Sequence, residues 1–266
     1  MPTNTEEIIG GIEKALVSFD KSTIKVQDKY WDELLDGVLQ LDYDASRKLI
    51  SSTKNLKLIA GLKSSLDSFI ASPKNTAHIK GFAKTYKDLE KINNQYFADM
   101  VEDFSVPTGL NVVKDASLIS LGESLAGAGV NGAVTSRVFD ILNQNLPSGT
   151  TRSQLIRQLQ DFTLGKKGEL GALHRYSKQI ATDSINQFNA SYNSSITKSL
   201  GFTWYRYVGR LKDTSRPICV GAIHQRYFHV SELADFANGI LASGRVSTAG
   251  MVKGTNGNNA LTYRGG

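Results

Sequence analysis

Cysteine is almost missing from this sequence: Cys219 stands alone among 266 residues. A lone thiol excludes an internal disulfide framework and any metal site built from several cysteines. No apolar run reaches the roughly 18 residues that a transmembrane helix needs. The start, MPTNTEEIIGG, has neither a basic n-region nor an apolar h-region, so no secretory signal is expected. A soluble protein made in a reducing cytoplasm is the expectation. Signatures of catalysis are missing as well. There is no H-E-x-x-H, no nucleophile elbow and no pair of carboxylates at active-site spacing.

What is present is apolar enough to fold. Hydrophobic residues make up 40% and charged residues 21%, which supports a packed core and excludes a disordered chain. The length fits one large domain or two smaller ones. Net charge is +6, and it is unevenly spread. Residues 1–150 carry 16 Lys and Arg against 19 Asp and Glu, a balance of −3; residues 151–266 carry 15 against 6, a balance of +9. The C-terminal part should therefore attract polyanions, and salt should weaken that attraction. A solvated surface or an acidic protein partner accounts for the charge equally well.

Hydrophobic spacing predicts long amphipathic helices over the first hundred residues. One stripe is Ile24, Asp28, Trp31, Leu34, Leu35, Val38 and Leu41; a second is Leu49, Leu56, Ile59, Leu62, Leu66, Phe69 and Ile70. A third is Ile79, Phe82, Tyr86, Leu89, Tyr96 and Met100. Asp44 and Asn75 are expected to start the second and third helices, with Pro73 marking the gap between them. Trp31, Phe69 and Tyr86 are expected to point inward. Three such helices should pack as an elongated bundle, or on a partner.

The stretch Ser105–Gly109 should break the third helix, because Pro107 biases Val106 away from helix. A helix capped by Asp115 or Ser117 and running through Leu125 is expected next, then another over Asn131–Leu142. Between them, Gly127 to Gly132 matches G-x-G-x-x-G. No strand precedes this match and Ala133 stands where a phosphate loop needs lysine, so it reads as close helix packing or a joint.

Thr150 or Thr151 should cap a helix carrying Leu155, Ile156 and Leu159. After the loop LGKKGELG, a long helix is expected from Ala172 to about Leu200, with Ile180, Ile185, Phe188, Tyr192 and Ile196 on one side and Gly201 as its stop. Aromatic and β-branched residues at 202–208 favour a strand, and 227–230 another. Pro217–Ile223 should open a short helix, and Ser231 should cap one running to about Leu241. A last strand is expected at Leu261–Tyr263. No internal repeat is visible. The expected fold is α+β and predominantly helical. It divides into an elongated bundle over 1–105, a Gly-rich connection over 106–134 and a helix-plus-antiparallel-strand module over 135–266.

Asp213, Arg216, Cys219, His224 and His229 cluster in sequence and admit three readings. Cys219, His224 and His229 carry the donor types that zinc prefers. Cys219 with His224 has the makings of a nucleophile and base. In the third reading the cluster is structural: Arg216 pairs with Asp213 across a turn or bonds its carbonyls, and Cys219 is a small buried apolar residue.

The order of these motifs resembles a known family. Ile180-Ala-Thr182-Asp183 on a helix, then Gly201-Phe-Thr-Trp204, then Asp213-Thr-Ser-Arg216-Pro217-Ile-Cys219 and Tyr227-Phe-His229 are similar to the phage Mu F-like head morphogenesis family. These are the minor head proteins of tailed phages. The upstream LPSGTTRSQLIRQLQ resembles that family's G-x-S-x-x-x-L-x-x-x-L helix. Asp183 stands where the family usually has glutamate, and Gln179-Ile-Ala replaces its basic residue before Thr182.

The resemblance covers about residues 135–266 and implies a structural, non-enzymatic protein of the virion head interior, assembled in the host cytoplasm. It implies portal and capsid or scaffold proteins as partners, a part in DNA packaging or delivery, and Thr182, Asp183, Trp204, Asp213, Arg216, Pro217 and Cys219 as the structural motif. The charge adds non-specific phosphate contact with packaged double-stranded DNA, for which Lys166, Lys167, Arg175 and Lys178 are the candidate patch. No cofactor other than zinc at Cys219, and no membrane partner, enters this reading. A hydrolase or toxin-like enzyme using the Cys219/His224 region is the alternative, and a free DNA-binding protein a third.

Overall fold

The computed structural model describes residues 5–207, 211, 213–251 and 253–260. Helix dominates: α1 (Thr5–Leu39), α2 (Thr53–Ala71), α3 (Pro73–Met100), α4 (Leu110–Ala126), a single turn α5 (Ala128–Val130), α6 (Ser136–Ser148), α7 (Arg152–Thr163) and α8 (Ala172–Ser199). A small module follows, with β1 (Trp204–Arg206), α9 (Pro217–Gln225), β2 (Tyr227–His229), α10 (Leu233–Ala237), β3 (Ile240–Leu241) and β4 (Gly244–Arg245). The expectation of a predominantly helical α+β chain is met. The expected strand at Leu261–Tyr263, the end of the 202–208 strand at Val208 and the turn residue Lys212 lie outside the described residues.

The chain forms two units, and neither is continuous in sequence. One comprises the chain up to Ile8, Leu89–Ser117 and the chain from Asp183; the other comprises Ile9–Asp88 and Leu118–Thr182. The boundaries expected at 105 and 134 do not coincide with these. The break after α3 does occur, between Met100 and Leu110, but α1, α3, α4 and α8 each divide between the units.

In the second unit, the buried side of α1 is Phe19, Thr23, Gln27, Tyr30, Leu34 and Val38. The expected stripe is therefore shifted: Ile24 is exposed and Trp31 only half-buried. Two polar residues occupy the inner face because each finds a partner. Thr23 donates to the Phe19 carbonyl (3.0 Å), and Gln27 Oε1 accepts from the His174 backbone N–H (3.1 Å). Tyr30 Oη donates to Thr135 Oγ1 (3.3 Å), and its burial pushes the phenol well above its ordinary pKa. Phe82 lies between Phe19 and Tyr86, at ring separations of 4.8 and 6.2 Å. Tyr86 is fully buried as expected, whereas Phe69 is half-buried and meets the edge of Tyr30 at 6.0 Å.

Helix starts follow local hydrogen bonding. Ser52, not Asp44, caps α2 by accepting from the Asn55 N–H (3.1 Å). Asp44 instead folds a turn, its Oδ1 accepting from the N–H groups of Ser46 and Lys48 at 2.8 Å. That turn is held by Asn55, fully buried, whose side chain accepts from Asp42 N–H and donates to the Asp42 and Ile50 carbonyls. Pro73 is the first residue of α3, where its missing N–H costs nothing. The start of α3 thus precedes the expected Asn75. α4 likewise begins five residues before the expected Asp115 cap.

The glycine-rich stretch is a helical joint with no strand before it. α4 stops at Ala126, α5 makes one turn, and Asn131–Thr135 is π-helical before α6 begins. A side chain at Gly129 would place its Cβ 2.4 Å from the Ser124 carbonyl oxygen, so the joint requires glycine there. Thr151 caps α7 through a capping box with Gln154.

In the first unit, Asn93 on α3 donates to Asn189 on α8 (2.9 Å), and Tyr192 donates to Asn94 (3.0 Å). Lys114 pairs with Glu90 at 2.7 Å with both side chains largely covered. Phe97, not Tyr96, is the buried aromatic on this part of α3, and Met100 is exposed. Gly201, at φ +70, ends α8 as expected. The N–H groups of Gly201 and Phe202 return to the Lys198 and Thr197 carbonyls, which is the Schellman arrangement.

Candidate functional site

The β module is built around one core of Ile218, Ala222, Phe228, Leu233, Phe236, Leu241 and Ala260. β1 and β2 pair antiparallel in the register Trp204–His229, Tyr205–Phe228 and Arg206–Tyr227. Strand residues alternate faces. Tyr205 and Phe228 therefore turn into the core, while Trp204 and Tyr227 are 63% and 52% exposed. The cap of the following turn is His229, with Glu232 in a capping box, in place of the expected Ser231; α10 ends at Ala237, and Leu241 belongs to β3.

The motif residues occupy defined places. Thr182 sits on α8 and donates to the Lys178 carbonyl (2.8 Å), and Asp183 follows it half-buried. Trp204 is the first residue of β1. Arg216 is the N-cap of α9 and Pro217 its first residue. The Arg216 carbonyl accepts from the Cys219 and Val220 N–H groups (2.9 and 3.0 Å). Its side chain lies over Gly250, where an added Cβ would fall 2.6 Å from Nε. Asp213 is exposed. Cys219 packs against the module core but is half-buried, where the structural reading of the cluster expects it buried.

The proposed ligands do not converge. His224 is exposed on α9, and His229 packs at a tilted angle against Trp204 with centroids 5.1 Å apart. Among the described residues, no group of three or more His, Cys, Asp or Glu side chains is placed to hold a metal ion. Nor, among them, does a hydrogen bond join Cys219 to His224.

The basic patch expected at Lys166, Lys167, Arg175 and Lys178 is split. Lys166 and Lys167 line an open cleft of about 790 Å³ together with Arg157, Ser153, Gln160 and Asp161. It is formed by α7 and the loop after it. Lys166 approaches Asp161 at 3.8 Å with both side chains well exposed, a separation that leaves its charge available to a ligand. Lys178 instead pairs with Asp20 at 3.3 Å, and Arg175 lies over the Tyr176 ring at 5.2 Å. Asp20 also meets the buried His174 Nε2 at 2.6 Å. Burial raises the Asp20 carboxyl, but the His174 and Lys178 contacts outweigh it and hold its pKa below the ordinary value.

Arg157 is the cleft residue that sequence reading missed. It lies four residues after Ser153 on the exposed side of α7, so both reach the same cleft.

No family model matches the chain, and no curated protein or solved structure does either.

Proposed function

We propose that this chain is a structural minor head protein of a tailed bacteriophage. In this reading it lies in the capsid interior near the portal, acts in head assembly and faces packaged DNA through a basic cleft. The supporting observation is the gathering of Trp204, Arg216, Pro217 and Cys219 into one small module with a single core. Those are four of the seven positions through which the sequence resembles the Mu F-like head proteins. The long helices supply surface for portal, capsid or scaffold partners.

The cleft supplies the DNA-facing part. Arg157, Lys166 and Lys167 present three cations against Asp161 in one open groove. Such a groove suits the regular phosphates of a duplex. Binding should accordingly be indifferent to sequence. Co-sedimentation with heads on a density gradient tests the assembly role. The chain is expected in the head fraction at a fixed ratio to the major capsid protein; its absence from that fraction refutes the proposal.

A further inference from the structure

The outward face of the antiparallel β1–β2 pair carries a second kind of surface, unrelated to the cleft. Trp204, Arg206, Tyr227 and His229 occupy it as two cross-strand pairs, Trp204 with His229 and Arg206 with Tyr227. Phe202, two residues before Trp204, is 38% exposed. The ladder extends beyond the strands through Val230 N–H to the Thr203 carbonyl (2.8 Å) and Tyr207 N–H to the Arg226 carbonyl (2.7 Å), which lengthens the backbone support under the aromatic side chains. The opposite face is anchored in the module core by Tyr205 and Phe228.

Leaving a tryptophan 63% and a tyrosine 52% exposed on a rigid sheet forgoes considerable apolar burial. A surface that does so is built for a partner. Charge selects which one. From Gly201 to Asp235 the sequence holds Arg206, Arg210, Lys212, Arg216 and Arg226 against Asp213, Glu232 and Asp235, and Glu232 accepts from the His229 N–H at 2.6 Å, so the segment stays net positive. None of the four residues on the outward sheet face is acidic. Flat aromatic faces interleaved with arginine, in a cationic segment, match the chemistry of unpaired bases and their phosphates. A duplex offers no free base faces to stack, and an acidic peptide would leave the rings unused.

We infer that the outward face of this strand pair is a stacking platform for single-stranded nucleic acid, with Trp204 and Tyr227 receiving bases and Arg206 a phosphate. The inference goes beyond head assembly and does not depend on the Lys166/Lys167 cleft.

The test uses the full chain with Trp31→Phe, which leaves Trp204 as the sole tryptophan. Fluorescence is titrated with a twelve-residue oligothymidylate and with an abasic oligonucleotide of the same length and charge. The oligothymidylate should quench Trp204 and bind about tenfold to a hundredfold more tightly than the abasic strand. Read by anisotropy of end-labelled strands, which needs no tryptophan, Trp204→Ala and Tyr227→Ala, both at exposed positions, should each remove about tenfold from oligothymidylate affinity and leave abasic affinity unchanged. Lys166→Glu with Lys167→Glu should leave the ratio between the two strands intact, which separates this surface from the cleft. Equal affinity for the two strands, or no quenching at low salt, overturns the inference. So does a Trp204→Ala chain that binds oligothymidylate normally but no longer enters heads, which would make the face a protein-docking surface.

Discussion

Replacing Phe82 with alanine tests the packing of the second unit most sharply. Phe82 is 4% exposed. Its ring sits between Phe19 at 4.8 Å and Tyr86 at 6.2 Å. Phe19 is itself 3% exposed and Tyr86 fully buried, so neither can swing outward to close the space. Truncation should then carry the full cost of a buried phenylalanine, about 3–5 kcal/mol of lost transfer energy and unfilled cavity. For a chain of this size each kcal/mol moves the melting temperature by about 2–4 °C, so a fall of about 6–20 °C is expected. Phe69 provides the internal control. It belongs to the same sequence pattern but is half-buried, touching Tyr30 edge-on at 6.0 Å. With about half the area to lose, Phe69→Ala should cost about half as much. Calorimetric melting of both variants decides the matter. An unchanged melting temperature for Phe82→Ala, or a larger loss for Phe69→Ala, refutes the packing described.

Three further outcomes follow from the same structure. Arg216→Lys keeps the charge but loses the planar fork, and should destabilise the chain by about 1–3 kcal/mol and impair head assembly; full retention of both on melting and gradient analysis contradicts a structural role for Arg216. Lys166→Glu with Lys167→Glu should weaken binding of the full chain to two unrelated duplexes alike and make the log–log salt slope shallower by about 2, since each neutralised phosphate contributes about 0.9; binding that ignores salt sinks the DNA-facing cleft. Acid should destabilise the fold in two steps. Burial holds His78 below its ordinary 6.5, against a raising bond to the Asn75 carbonyl, so its contribution is complete above that pH and is lost as pH falls through the lower folded value. Asp20 behaves likewise below 3.8. His78→Phe should remove the upper step in urea melts taken across pH, and persistence of that step assigns it elsewhere.

Much of the helical architecture is legible in the sequence, because apolar spacing over α2, α3 and α8 is long and regular. Buried Ile59, Leu62, Leu66, Phe82, Tyr86, Ile185, Phe188, Tyr192 and Ile196 fall on the expected stripes. Where reading went astray, a polar residue had a distant partner. Gln27 belongs to the buried face of α1 only because His174 donates to it from 147 positions away. The visible apolar periodicity therefore pointed to the neighbouring face through Ile24 and Trp31. Asp44 has the chemistry of a helix cap, but it spends its carboxylate on a turn.

The candidate site shows the same limit. Trp204 and Pro217 were legible because strand and helix start are local properties, whereas the half-burial of Cys219 depends on how the module packs. Lys178 was not, since the carboxylate that engages it, Asp20, is far off in sequence. Arg157 carried a usable signal, its i, i+4 spacing from Ser153 on an exposed helix face, but only the fold shows which loop faces it. The outward aromatic row on β1 and β2 needed the register, because pairing Trp204 with His229 decides which rings share a face.

The central claim is a place inside the phage head, against DNA. Protease treatment of purified, DNA-filled heads followed by immunodetection of this chain tests it most directly. The account predicts that the chain is present and protected while the shell is intact, and is digested once the head is opened. A chain digested on intact heads, or missing from them, contradicts it.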